Sequence, residues 1–399
     1  MKRRGIRVLA VVLVTVLLNV LAWNSTAFCD FYVTYIFPIW VNTYGRLTGV
    51  WSFSVGELML AAGVLLTAVA ALLGVVAVIF RLLVKDAGLG RRLRLICRGF
   101  YRFFGYTCLS VLVVMTLNCF ILYHCSTFDT KYLGGGREDY TIEELTLLRD
   151  YVVTQANLLA EQMVRDENGN IVYEGDMAQT AIESMQALGE EYEQLSGYYP
   201  KPKEIYSSEF LSQQKMQGYY FPFSMEANYN GIMNITNQPS AMCHELAHVK
   251  GFIYEDEANL IGYLACVNSD DPMFRYSGYL SVLNYIENDF KKSVGKDSDV
   301  YRSHVKVSAQ VKKDNVFLTK ESWEKVEQKA VVKTETVAKA SNTLVQTNLV
   351  MNGVADGKLS YCRVVDLLMN YYASNVDAME VTVLAELEDN AAEYLVKEE

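Results

Sequence analysis

Histidine is scarce in this chain, and net positive charge is missing from its last two thirds. Only 4 histidines occur in 399 residues. The 8 cysteines form no Cys-x-x-Cys pair, which argues against a cysteine-built zinc cluster. There is no internal repeat and no low-complexity tract. After residue 123, 24 Lys/Arg face 43 Asp/Glu, a balance of −19. Phosphates repel such a surface, so no nucleic acid is expected as a partner. Residues 1–123 hold 12 Lys/Arg and 3 Asp/Glu, a balance of +9, so the net charge of −10 averages two unlike parts. A hydrophobic content of 51% argues against disorder and points to membrane segments.

Three apolar stretches lie in the first third. Val8–Trp23 follows Lys2, Arg3, Arg4 and Arg7, and Ile6 extends it. Leu58–Phe80 is nearly unbroken Leu, Val and Ala, and Phe103–Tyr123 is apolar and aromatic. The last two are long enough to cross a hydrocarbon layer of about 30 Å at a rise of about 1.5 Å per residue. The expected spans are about 6–26, 56–80 and 102–123. The first could be a cleaved signal peptide, but no small-x-small cleavage site follows it, and Phe28 before Cys29 spoils a lipoprotein-type site. A retained span is favoured. Loop 24–57 carries only Arg46, whereas loop 81–102 carries seven Lys/Arg. Positive loops stay in the cytoplasm, so the part after residue 123 is expected outside.

The exported part reads as mostly helical with a small sheet, an α+β arrangement. Gly134–Gly136 reads as a linker, and Thr141 with Glu144 as a capping box opening a helix to about Asp166. A second helix is expected at about Met177–Leu195, and short strands at Tyr219–Phe223 and Gly231–Ile235. Further helices are expected at about 239–250, 255–267 and 279–292, one long one at 321–346, and a last one at about Ser360–Tyr372. Cys243 and Cys266 are either an oxidised pair or two small buried thiols.

The sharpest local signal is His244-Glu245-Leu246-Ala247-His248. Two histidines at i and i+4 share one helical face, so both rings can reach one metal ion. Glu245 between them is placed to activate a water. Pro239 suits a first turn and Gly251 a helix end, about three turns apart. Acidic residues follow in Glu255-Asp256-Glu257-Ala258-Asn259, and the extended stretch Gly218–Phe223 precedes the motif. The third ligand is Glu255 or Glu257. In a helix opening near Tyr254, Glu255, Ala258 and Asn259 share a face, with Gly262 continuing a small-residue stripe. That geometry favours Glu255, with Asn259 available to hold a ligating histidine.

These segments together resemble the bacterial domain of unknown function 3810 family. The likeness rests on His244–His248 with Gly251-Phe252, Glu255–Asn259 and Leu264-Ala265-Cys266. Upstream it adds Gly218–Phe223 and Glu226-Ala227-Asn228. Downstream it adds Arg275-Tyr276-Ser277, Asn352-Gly353 and Ser360-Tyr361. The resemblance implies membrane spans in region 1–123 and, in 124–399, an exported zincin-like domain grouped with the gluzincin metallopeptidases. Glu255–Asn259 is similar to a Glu-x-x-Ala-Asp signature, with Asn259 in place of Asp.

The expected protein is therefore multi-pass in the plasma membrane, with an extracytoplasmic C-terminal domain. It would bind Zn²⁺ through His244, His248 and Glu255, with Glu245 as general base and Tyr276 (or Arg275) stabilising an oxyanion. Its partners would be the lipid bilayer and a peptide or protein of the cell envelope. The rival expectation is a zinc-binding envelope sensor or assembly protein without turnover. His304 reads as a surface histidine, His124 as interfacial, and Glu226 as a turn cap or a contact to a substrate amine.

Overall fold

The computed structural model describes residues 2–83, 87–135, 140–295, 298–354, 363–373, 376 and 379–384. Lys85, Gly136 and residues 360–362, which enter the expectations above, lie outside the described residues.

Three long apolar helices open the chain: α1 (Lys2–Asn24), α2 (Val55–Leu83) and α3 (Ala87–Met115). All three are long and apolar enough to cross a membrane. Polar side chains join them at two places. Tyr101 on α3 donates to the Ala70 carbonyl on α2 (2.6 Å), and Asn19 on α1 donates to Thr116 just beyond α3 (2.9 Å).

The segment between α1 and α2, expected as a loop, is a helix in successive pieces. It runs from Thr26–Phe31 to Arg46–Thr48, with π-helical stretches at Tyr32–Ile36 and Val41–Gly45. Cys29, Tyr32, Val33, Phe37 and Val41 are buried in the main core, so this helix is part of the large domain's packing.

That domain is mostly helical. Helices α4 (Ile142–Gln162) and α5 (Met177–Leu188) come first, α4 opened by the expected Thr141–Glu144 capping box. A three-stranded sheet follows in the order β1-β3-β2, from β1 (Lys203–Glu204), β2 (Gly218–Phe221) and β3 (Glu226–Tyr229). The short α6 (Ser208–Gln213) lies between β1 and β2. Strand β1 pairs parallel with β3, while β2 pairs antiparallel, Gly218 opposite Tyr229 and Phe221 opposite Glu226. The second strand thus lies ahead of its expected place at Gly231–Ile235. Glu226 and Asn228 are buried polar residues whose hydrogen bonds replace the usual apolar alternation.

Helices α7 (Gln238–Val249), α8 (Glu255–Val267) and α9 (Pro272–Ser293) form the centre of the domain, with α4 packed on α9. Asp271 caps α9, which therefore starts earlier than its apolar pattern indicated. All of α7 is buried except Gln238 and His244, as expected of a helix packed on every side. Beyond it come α10 (Ala309–Asp314), α11 (Lys320–Lys329), α12 (Thr334–Met351) and α13 (Val364–Tyr372). The expected single helix at 321–346 is thus two, interrupted at 330–333.

The first turn of α2 is fastened to the sheet. Ser54 accepts from the Glu57 N–H (3.0 Å), and Glu226 on β3 accepts from Val55 N (3.1 Å) and Gly56 N (2.7 Å). Ser224 and Lys203 complete the shell of the Glu226 carboxylate. Glu57 in turn accepts from the backbone of Tyr206 (2.9 Å) and Ser207 (2.8 Å), just ahead of α6. Helix N-termini leave such N–H groups without intrahelical partners, and near a bilayer they need protein acceptors. Of its two expected roles, Glu226 thus takes the capping one, on a membrane helix.

Candidate metal centre

The site is built where α7 reverses into α8. Pro239 opens α7, and Gly251 and Phe252 turn back on its last carbonyls, at His248 (2.9 Å) and Ala247 (3.3 Å). A Cβ at Gly262 would lie 3.0 Å from the His244 backbone nitrogen, so a glycine there lets α8 approach α7 closely. The approach sets Glu255, at the start of α8, against the two histidines one turn apart on α7.

Glu255 Oε2 lies 3.1 Å from His244 Nε2 and 3.7 Å from His248 Nε2. One donor atom from each of the three residues lies within 4.8 Å of the others. The second ring nitrogens are held from behind. His248 Nδ1 is 2.7 Å from the Phe252 carbonyl, which can only accept, so the proton sits on Nδ1 and Nε2 faces the cluster. His244 Nδ1 is 2.9 Å from Asn259 Oδ1 in the same relation. Two imidazoles fixed by outer acceptors plus one carboxylate are the donor set of a His₂Glu zinc centre, so the residues present fit such an ion.

The electrostatics point the same way. Burial raises the Glu255 carboxyl, but the hydrogen bonds and charges of both histidines outweigh it and leave the group well below the usual range. Burial lowers His248, yet Glu255 pulls it up to about 9. Glu255 thus stays ionised against the two rings. Glu245 behaves differently: burial pushes it up to about 7, against the pull of the histidines. Its Oε2 is buried and has no hydrogen-bond partner among the described residues. A Cβ on Gly218 would come within 2.7 Å of Glu245 Oε1, so β2 passes this carboxylate at a spacing only glycine allows.

Glu245 and the three donors line one cavity of about 740 Å³, together with Gly218, Tyr219 and Tyr220 of β2. The other expected residues fall elsewhere. Glu257 is turned away, its Oε1 accepting from the Phe128 N–H (2.6 Å), and burial pushes its carboxyl up to about 8. Tyr276, expected beside the metal, is fully buried and donates to Asp314 (2.9 Å); neither it nor Arg275 lines the cavity. His304 pairs with Asp150 (2.9 Å), and His124 stacks near Trp23. Cys243 and Cys266 are free, buried thiols. The sequence reading missed Tyr263 and Tyr285, which line the cavity, and the α12 residues Ser341 and Asn348. Nothing in the local pattern of those residues marks them.

Residues 32–369 match the family model described as protein of unknown function (DUF3810). The chain belongs to the DUF3810 family. Comparison with curated proteins and with solved structures found no match. The DUF3810 match starts at Tyr32, inside the helix between α1 and α2, and ends at Met369 in α13. It therefore takes in two of the three apolar helices, the sheet and the whole donor cluster.

Proposed function

We propose that this protein is a membrane-anchored, zinc-dependent peptidase that hydrolyses peptide bonds at the outer face of the plasma membrane. The observation that carries the reading is the buried Glu245 carboxylate. Its free oxygen shares a cavity with the His244, His248 and Glu255 donors. When bound, zinc supplies Lewis-acid polarisation of a water and of a substrate carbonyl. His244, His248 and Glu255 hold the ion, and the Phe252 carbonyl and Asn259 keep both rings in orientation. Glu245 takes the proton from water and passes it to the leaving amine. Strand β2 is the sheet edge on the cavity side, where an extended peptide can add as a further strand. The outward placement is supported by four Lys/Arg in the first 7 residues and seven in 81–102, against one in 24–57.

The test compares wild type with Glu245→Gln on a mixture of peptides. The variant keeps size and hydrogen bonding but loses the base. It should retain metal and lose hydrolysis by about 10²–10⁴-fold. Equal hydrolysis by both proteins would refute the mechanism. Bound metal with no turnover in either would move the protein to the sensor or assembly reading.

A further inference from the structure

One wall of the cavity belongs to the membrane region. Met115, Cys119 and Tyr123 line it, four residues apart along the end of the third apolar helix and the π-helical turn at Thr116–Phe120 that follows it. At about 1.5 Å per residue, Met115 lies about 12 Å along the axis from Tyr123. Tyr123 is buried in the large domain's core and Met115 ends the third apolar helix, so this wall runs from the domain to the end of that helix. The stripe also touches the donor cluster. Tyr254, next to Glu255, donates to the Tyr123 carbonyl (2.6 Å), and the two rings pack edge to face at 5.6 Å.

Strand β2 bridges the membrane side and the polar side of the same cavity. Past its end, the Pro222 carbonyl accepts from Asn118 on the membrane helix (2.8 Å). Before its start, Gln214, Lys215 and Gln217 line the cavity with Ser341. Glu245 sits between, opposite Gly218. An extended chain laid along β2 would have one end at the bilayer and the other in water.

The helix from Thr26 to Thr48 joins the end of α1 to the start of α2. Its face opposite the core exposes Phe31 (54%), Tyr35 (65%), Ile39 (56%) and Leu47 (57%). Such a face suits the headgroup–acyl boundary.

We infer that the substrate is a membrane-inserted polypeptide, cut in the extended stretch just outside its apolar span, which reaches the cleft from the bilayer along the Met115–Tyr123 stripe. This inference rests on the peptidase reading above and names its substrate class.

The test uses the full chain carrying Glu245→Gln, with a benzophenone amino acid at Cys119, in phosphatidylethanolamine–phosphatidylglycerol vesicles. A second position, Met115, serves if bulk at 119 prevents folding. The probes are a synthetic peptide with an apolar segment of about 20 residues and a polar tail, and the tail alone. A control places the same group at the exposed Leu65 of α2. The anchored peptide should give an adduct at position 119 at least tenfold stronger than at Leu65, and the tail alone should give none. Equal yields at 119 and Leu65, equal yields from the tail alone, or phospholipid adducts only would overturn the inference. Cleavage by the parent enzyme is read separately. Adducts without cleavage would remove the peptidase reading but keep the bilayer route. Cleavage of the free tail as fast as the anchored peptide would do the reverse.

Discussion

Replacing Glu226 by alanine should loosen the large domain from the second membrane helix. The carboxylate accepts from Val55 N (3.1 Å), Gly56 N (2.7 Å), Ser224 Oγ (2.7 Å) and Lys203 Nζ (2.5 Å), and it is 1% exposed. Alanine would leave the buried Lys203 ammonium with the Thr48 carbonyl (2.8 Å) and two N–H groups of α2 without an acceptor. Removing one partner of a buried ion pair costs about 3–5 kcal/mol. A lost helix cap alone costs about 1 kcal/mol, and here the same carboxylate serves both, so the two are not summed. At about 1.4 kcal/mol per decade, the folded-to-unfolded ratio should fall by roughly 10²–10⁴. Lys203→Met with Glu226→Leu removes both charges and leaves the cap, the Ser224 hydroxyl bond and the Thr48 carbonyl bond unmade, so the pair should recover the part of the loss that comes from the unpaired ammonium. The assay is equilibrium unfolding of the full chain in detergent, followed by tryptophan fluorescence. A stability for Glu226→Ala within about 0.5 kcal/mol of wild type, or a double variant weaker than the single, would refute the fastening.

Two further outcomes follow from the same geometry. Gly218→Ala sets a Cβ 2.5 Å from the Asn228 carbonyl and 2.7 Å from Glu245 Oε1 without touching a ligand. It should keep its metal and lose at least about tenfold in hydrolysis by displacing the base; wild-type turnover would contradict that. A reporter active only in the cytoplasm, fused after Glu399, should be silent if the domain is outside, as the proposed orientation by positive loops requires. Strong signal would reverse the orientation.

Much of this arrangement was readable from local sequence, because local rules govern it. Uninterrupted apolar runs marked the three membrane helices. The capping box marked α4, and Pro239 with Gly251 bracketed the histidine helix. Helical spacing put Glu255 and Asn259 on one face, and the structure sets both against His244. What local rules missed is held by distant partners. The helix from Thr26 to Thr48 read as a loop because apolar residues occupy both its faces, one against the core and one outward. Glu226 is fixed by Val55 and Gly56, 171 and 170 positions away. Tyr276 read as a site residue from its place after the second helix, and its partner Asp314 is 38 positions on. The break at 330–333 falls in Ala-Val-Val-Lys, where two β-branched residues weaken the helix without a proline or glycine to announce it.

The most direct test of the metal centre is the metal content of the purified full chain, measured for wild type, Glu255→Ala and Glu257→Ala after dialysis against limiting zinc. Wild type and Glu257→Ala should each hold about one zinc per chain, and Glu255→Ala should hold little or none, since it loses one of three protein ligands. No bound metal in wild type, or full zinc in Glu255→Ala with none in Glu257→Ala, would contradict the account.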